Sequence, residues 1–449
     1  MQDAKLSRAI ALSVAEGGLA TVMGSLIGGV FLTGFALAMG ANQLQIGILA
    51  GLPVLANFAQ LLGAFIIERT GSCKQMCVRT TIASRLLWLP AVLIPLWLFP
   101  ERNGDAVWLI IVAIGTSNIL GSLGGMGWLA WTKELIPASQ RVRFFGKRNL
   151  CNTGLSLSAS LVGACFLDWS NSRSAESVTG FLTVFAMASA CGIVGWWLLS
   201  RIPEPASTHE ASPPMHERWL APLQDPNYRA LVAFYACWNL SVHIAQPFFA
   251  VYMLEKLHLP FLWVTGLATL SSVAGLATNN LWSRLCERFG TKPIVLIATC
   301  LDLAIPLCWL FVGPEWIGLL LLIHCLGILN APIAMGPNNL LLGIAPTKNA
   351  SPYLAIFNAS VGTMTALAGV CGGTLATIFA GNEWQLGPIA FDGLKTIFLI
   401  SLVGRLASLL LLSGVHEANS EPVIFVLQSF RRTRIAAPAQ VETPSGKAA

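Results

Sequence analysis

Apolar runs of about 20 residues or more follow one another from Ala9 to Val415, separated by short polar breaks. A helix rises about 1.5 Å per residue, so a run of that length crosses the roughly 30 Å hydrocarbon layer of a bilayer. The pattern predicts helices near 9–38, 45–67, 80–99, 107–131, 150–168 and 179–200, then near 229–254, 262–285, 293–313, 316–344, 353–380 and 394–415. These are spans 1 to 12 of an all-α polytopic membrane protein. The first run is too long for a secretory signal and lacks its small-residue cleavage site, so it is expected to be retained as span 1. The proline-rich polar stretch at 201–228 reads as a linker. It separates a first six-helix bundle, 1–200, from a second, 229–415, and a tail expected to be disordered or surface-attached occupies 416–449.

Composition agrees with that pattern: 55% of the 449 residues are hydrophobic and only 11% are charged. A net charge of +6 raises the question of nucleic-acid binding, which the placement of the cations answers. With twelve spans and the N-terminus inside, 21 Lys and Arg fall on one side and four on the other. The positive-inside rule then places both termini in the cytoplasm, and the bacterial inner membrane is the expected location. The basic run "RVRFFGKRN", Arg141 to Asn149, reads as a membrane-facing loop after span 4, and no nucleic acid is expected as a partner. Trp97, Trp108, Trp169, Trp263, Trp316 and Trp384 fall near the opposite ends, where amphipathic rings settle at the headgroups. The 11 cysteines mostly sit inside apolar runs and read as packing residues, with neither a disulfide framework nor a metal site.

The chain repeats itself. Glu68-Arg69-Thr70-Gly71 after span 2 returns as Glu287-Arg288-Phe289-Gly290 after span 8, an offset of 219. Met126-Gly127, Pro137 and Asn149 match Met335-Gly336, Pro346 and Asn358 without a gap at an offset of 209. Both sets lie at corresponding places in the two halves, so the halves read as pseudo-symmetric copies.

On these residues the chain resembles the major facilitator superfamily of secondary transporters, whose loop between helices 2 and 3 runs Gly-x-x-x-Asp-Arg-x-Gly-Arg-Arg. The first copy keeps Glu68, Arg69 and Gly71 but has Ala64, Ser72 and Cys73 at other motif positions, with Lys74 one place late. The second keeps Glu287, Arg288, Gly290 and Lys292, with Ser283 at the first position. The resemblance implies that these loops are conformational latches on the cytoplasmic face. It also implies that spans 1, 4, 7 and 10 line a central cavity worked by alternating access.

Ionisable groups inside spans are costly and tend to face a cavity or a partner. Glu16 in span 1 is the only acid on an expected cavity-lining helix and is the candidate for proton or substrate coupling. Arg85 in span 3 is expected to snorkel or to meet Glu16. Asp302 in span 9 and Arg405 in span 12 are expected to pair as a structural ion pair. On span 7, Asn239, His243 and Gln246 are spaced by four and three and share a face beside Trp238, just before a helix-weakening Pro247. Asn118 on span 4 and His324 and Asn330 on span 10 complete the candidate substrate cavity. With Arg229 at the very start of span 7 counted among the loop cations, spans 4, 7 and 10 carry no acid and no arginine, which favours a neutral or weakly charged solute over a multivalent anion.

Secondary active transport of a small organic solute is the expected function, with protons as the coupling ion, no cofactor, and a monomer in the bilayer. Paired carboxylates or clustered histidines of a membrane enzyme are lacking, and so is a phosphate-binding Walker loop. Drug or metabolite efflux is the alternative, though span 4 lacks the arginine usual in such antiporters and span 5 has only Gly154 and Gly163 of their glycine pattern. A transporter-like sensor that no longer transports is the third reading.

Overall fold

The computed structural model describes residues 2–99, 104–173, 177–204, 221–346, 350–382, 384–386, 389–418 and 420–431. Most of the expected linker and the last part of the tail lie outside these residues. In the first half, span 1 is α1 (Gln2–Ile27) and α2 (Gly29–Ala38), and span 2 is α3 (Gln43–Ala56) and α4 (Ala59–Thr70). Spans 3 to 6 are α5 (Cys73–Leu98), α6 (Gly104–Leu135), α7 (Ala138–Arg173) and α8 (Ser177–Ser200).

After the short α9 (Ala221–Gln224), span 7 is α10 (Pro226–His243), α11 (Gln246–Val251) and a π-helical turn, Tyr252–Lys256. Span 8 is α12 (Phe261–Phe289), and span 9 is α13 (Thr291–Asp302) with α14 (Ala304–Phe311). Span 10 is α15 (Leu319–Cys325), a 3₁₀ stretch and α16 (Asn330–Ile344); span 11 is α17 (Ala350–Ile378) and span 12 is α18 (Gly393–Leu412). A small antiparallel pair, β1 (Trp384–Leu386) and β2 (Ile389–Phe391), precedes span 12, and α19 (Val423–Arg431) follows it.

Eleven helices among the described residues are long and apolar enough to cross a membrane. Span 7 is the twelfth. It is broken between His243 and Gln246, and Asn239, His243 and Gln246 dilute its apolar character. The break has the cause the sequence suggests, since Pro247 lacks the N–H that would continue the ladder. Span 1 breaks at Gly28-Gly29, where Gly29 takes a φ of +53°, a conformation that favours glycine. Long apolar helices with exposed Leu, Ile and Val on their outer faces, and the six exposed tryptophans noted above, present a surface suited to lipid.

Two boundaries depart from expectation in a way that matters. The run Arg141 to Asn149 is not a loop: α7 begins at Ala138 and carries it into span 5. No proline interrupts that stretch, and Ala, Gln, Arg and Lys are good helix formers, so the helix continues through the charges. The tail after Val415 is not wholly irregular either, because α19 buries Val426 in an apolar cluster with α12 and α13.

Call the end that carries the N-terminus and both Glu-Arg-x-Gly copies the basic end. The halves pack together chiefly at the other end. There α3 and α17 approach backbone to backbone: a Cβ on Gly47 would lie 2.1 Å from the Gly369 carbonyl oxygen, and one on Gly369 would lie 2.4 Å from that of Gly47. Gly47 with Gly51 and Gly369 with Gly373 form facing small-x-x-x-small stripes. Beside them, Asp168 on α7 accepts the first N–H groups of α12, from Phe261 and Leu262, both at 2.8 Å. The carboxylate sits on a helix N-terminus, where unsatisfied donors and the helix dipole favour it. The Phe261 ring packs edge-on against Phe181 and fills the space left by Gly34.

Candidate functional site

Ser13, Glu16 and Gly17 lie three and four residues apart and so face one way on α1. Glu16 accepts from Arg85 Nη2 of α5 at 3.0 Å on one oxygen and from Arg148 Nη2 of α7 at 3.1 Å on the other. These side chains are only 5%, 9% and 11% exposed for Glu16, Arg85 and Arg148, so the charges meet away from bulk water. Each arginine has a second anchor. Arg85 Nη1 donates to the Gly192 carbonyl on α8, and Arg148 Nη1 donates to the Ser13 carbonyl and hydroxyl.

Glycines make the fit. The Arg148 guanidinium lies against Gly17, where a Cβ would sit 2.4 Å from Cζ, and its other face covers the Trp128 ring at 4.3 Å. Arg85 passes Gly195, whose added Cβ would sit 3.1 Å from Nη1. One carboxylate thus ties α1 to α5 and α7, with α6 and α8 holding the two cations. Arg85 meets Glu16 rather than snorkelling. The sequence pattern alone does not bring Arg148 to the site, because its basic run looks like a loop and only the structure shows it to be helical. The signals that point to it are the unbroken helix-forming run before it and Gly17 beside Glu16.

The cluster borders a cavity of about 690 Å³ lined entirely by first-half residues. Asn118, Asn57, Gln60 and Ser122 add hydrogen-bonding groups to its wall, and Trp88 and Trp128 add aromatic surface. A second cavity of about 600 Å³ lies between the halves and takes in His243, Gln246 and His324. Gly28, Leu32, Leu49, Pro53 and Val54 line both, so the two spaces adjoin at the break in span 1. His324 Nδ1 donates to the Leu320 carbonyl at 2.7 Å, since a carbonyl oxygen can only accept.

Other expected cavity residues sit elsewhere. Trp238 is 2% exposed in the second half's core and lines neither cavity; its ring stands 6.0 Å from the Arg405 guanidinium carbon. Asn239 turns back to donate to the Tyr235 carbonyl at 2.8 Å, which spends its amide within α10. Asn330 opens α16 beside Gly275 and lines neither cavity. Asp302 and Arg405 are bonded to each other, buried between α13 and α18. They brace the second half behind the cavity.

At the basic end, Gly71 takes φ +69° and closes α4, and Gly290 takes φ +92° between α12 and α13. The Glu68 side chain lies outside the described residues. The Arg69 guanidinium covers Phe65 on its own helix at 4.4 Å, and Arg288 covers Phe289 at 5.0 Å. Among the described residues neither Arg69, Arg288 nor Glu287 forms an ion pair. A different carboxylate serves each copy. Glu204, after α8, accepts from the Ser72 hydroxyl at 3.0 Å, and Glu417, after α18, accepts the Thr291 and Lys292 N–H groups at 2.9 and 2.7 Å. Sequence reading missed both acids, which lie outside the motif and at the far end of each half.

Among solved structures, a mutant form of the nucleoside transporter NupG is similar with a TM-score of 0.71 at 13% identity, over 90% of this chain and 99% of that one. A bacterial homologue of the iron transporter ferroportin, in an inward-facing state, gives 0.67 at 13% over 91% and 98%. A D-xylose-proton symporter gives 0.63 at 15%, again over 91% and 98%. At such identities the likeness is one of fold. No curated protein matches the sequence. The family model described as MFS/sugar transport protein matches residues 86–342, from within span 3 through most of span 10. With more than half of its length matched and a fold shared with these transporters, the chain belongs to the MFS/sugar transport protein family, secondary transporters of small solutes.

Proposed function

We propose that the protein is a proton-coupled secondary transporter whose basic end faces the cytoplasm and whose proton site is Glu16. The observation that carries this is the buried Glu16 carboxylate, held by arginines from two other helices at the wall of the larger cavity. Protonating it weakens two charge-assisted bonds at once, one from α1 to α5 and one from α1 to α7. A group with that leverage joins proton occupancy to helix position, and symport of a proton with a sugar by a similar fold supports the reading. The packing of the halves at the end away from the N-terminus fits an inward-facing arrangement.

The test is uptake by purified protein in proteoliposomes, using a panel that includes xylose, a nucleoside and gluconate. An imposed pH gradient is expected to drive one of these uphill in the wild type. Glu16→Gln is expected to retain counterflow and lose accumulation. Accumulation by that variant equal to wild type would sink the proton role of Glu16.

A further inference from the structure

The charges around Glu16 do not cancel. Two guanidiniums face one carboxylate, and among the described residues that line the cavity with them the remaining titratable group is the buried Cys77 thiol of α5. Among the described residues, the other elements around it contribute neutral groups: Ser13 on α1, Trp128 on α6, and Gly192 with Gly195 on α8. An unbalanced cation at a cavity wall is costly, and it is the feature expected where an anion binds.

We propose that the solute carries a carboxylate, which replaces the carboxylate of Glu16 between Arg85 and Arg148 when Glu16 is protonated. This rests on the proton-coupled reading above and names its substrate class. The second anchors are the reason. Arg85 is held by the Gly192 carbonyl, and Arg148 by Ser13 and by its slot between Gly17 and Trp128. Neither cation depends on Glu16 for its place, so protonation leaves two guanidiniums preorganised at the cavity with an acceptor missing. The rest of the wall is neutral and hydrogen-bonding, through Asn57, Gln60, Asn118 and Ser122, and suits a small polar body.

The charge and proton balance close. In the empty carrier the ionised Glu16 and the two arginines leave one positive charge. In the loaded carrier a proton from the aqueous cavity resides on Glu16, the solute carboxylate opposes the arginines, and one positive charge again remains. On the far side the carboxylate leaves, Glu16 gives its proton to water and recaptures the arginines. Loaded and empty forms cross with equal charge, so one proton and one monoanion move together without net current.

The experiment measures binding to the purified protein for two acid and neutral pairs, gluconate with glucose and nicotinate with nicotinamide, at about pH 5.5 and about pH 7.5, both above the ordinary range of a free carboxylic acid so that the acid probes are ionised. The account expects at least one acid to bind about tenfold or more tighter than its neutral partner, and tighter at the lower pH. Arg148→Gln leaves Glu16 and Arg85 as a balanced pair and is expected to lose acid binding by about thirtyfold. Glu16→Gln removes the internal competitor and is expected to bind the acid about tenfold tighter at the higher pH, with the pH dependence gone. Equal binding of acid and neutral partners, no binding by either acid, or weaker acid binding by Glu16→Gln would each overturn the proposal. If xylose is accumulated through Glu16 while the acids fail to bind, the anion site is wrong and the coupling reading stands. If the acids bind in this pattern but no solute accumulates, the coupling reading fails and the anion site stands.

Discussion

Gly17 shows how much of the site depends on a missing side chain. An alanine there would place Cβ 2.4 Å from the Arg148 guanidinium carbon, with the rigid body of α1 behind it. Gly17→Ala is expected to stay folded but to move Arg148 off Glu16, cutting transport by roughly tenfold, a loss of about 1.4 kcal/mol of interaction; unchanged transport would mean the guanidinium position does not matter. For Asp302 and Arg405, removing either partner strands a buried charge and is expected to cost about 3–5 kcal/mol, whereas removing both costs much less. Thermal unfolding of the two singles and the double checks this, and additive losses would count against pairing. Glu16, Asp302 and Arg405 were legible because ionisable residues stand out against an apolar run. Trp238 and Asn239 were misplaced for a related reason: a polar helical face can be spent inside its own half, as these are on Arg405 and Tyr235.

The elements were legible wherever apolar length alone decides. They were misread where charge and helix propensity disagree, as in α7, which runs through a basic stretch and so delivers Arg148 to the cavity. The broken span 1 adjoins both cavities and the broken span 7 the one between the halves, and glycine and proline mark them in the sequence. Gly29→Ala forces a side chain into the left-handed region at a cost of about 1–2 kcal/mol and is expected to straighten span 1 there. Lower thermal stability with slower exchange between states is the expected outcome, and a wild-type unfolding temperature would contradict it. Glu417 acts as an N-cap supplied from another element, because both its oxygens take N–H groups at the start of α13. Glu417→Ala is expected to cost about 1 kcal/mol and to speed amide exchange at Thr291 and Lys292 selectively. Protection equal to wild type at those two amides would remove the cap from the account.

At the scale of the whole molecule, duplication was legible from two sets of matched residues, whereas the state of the machine was not, because sequence does not say which end is closed. Packing at Gly47, Gly369 and Asp168 closes the end away from the termini. Asp168→Ala removes a carboxylate from the α12 N-terminus and is expected to favour opening there by about 1 kcal/mol, a several-fold population shift. Distances between spin labels placed across that end, in wild type and variant, would show it; identical distributions would not fit. Closure at one end, a buried acid at the cavity and two independently held arginines are the features on which we propose a cycle that turns on one protonation. Infrared difference spectroscopy of the reconstituted protein, with and without transported solute, reads that event directly. A protonated-carboxyl band that appears with solute in the wild type and is missing in Glu16→Gln is the predicted result. A band that persists in the variant, or that never appears in the wild type while transport proceeds, would contradict Glu16 as the proton site.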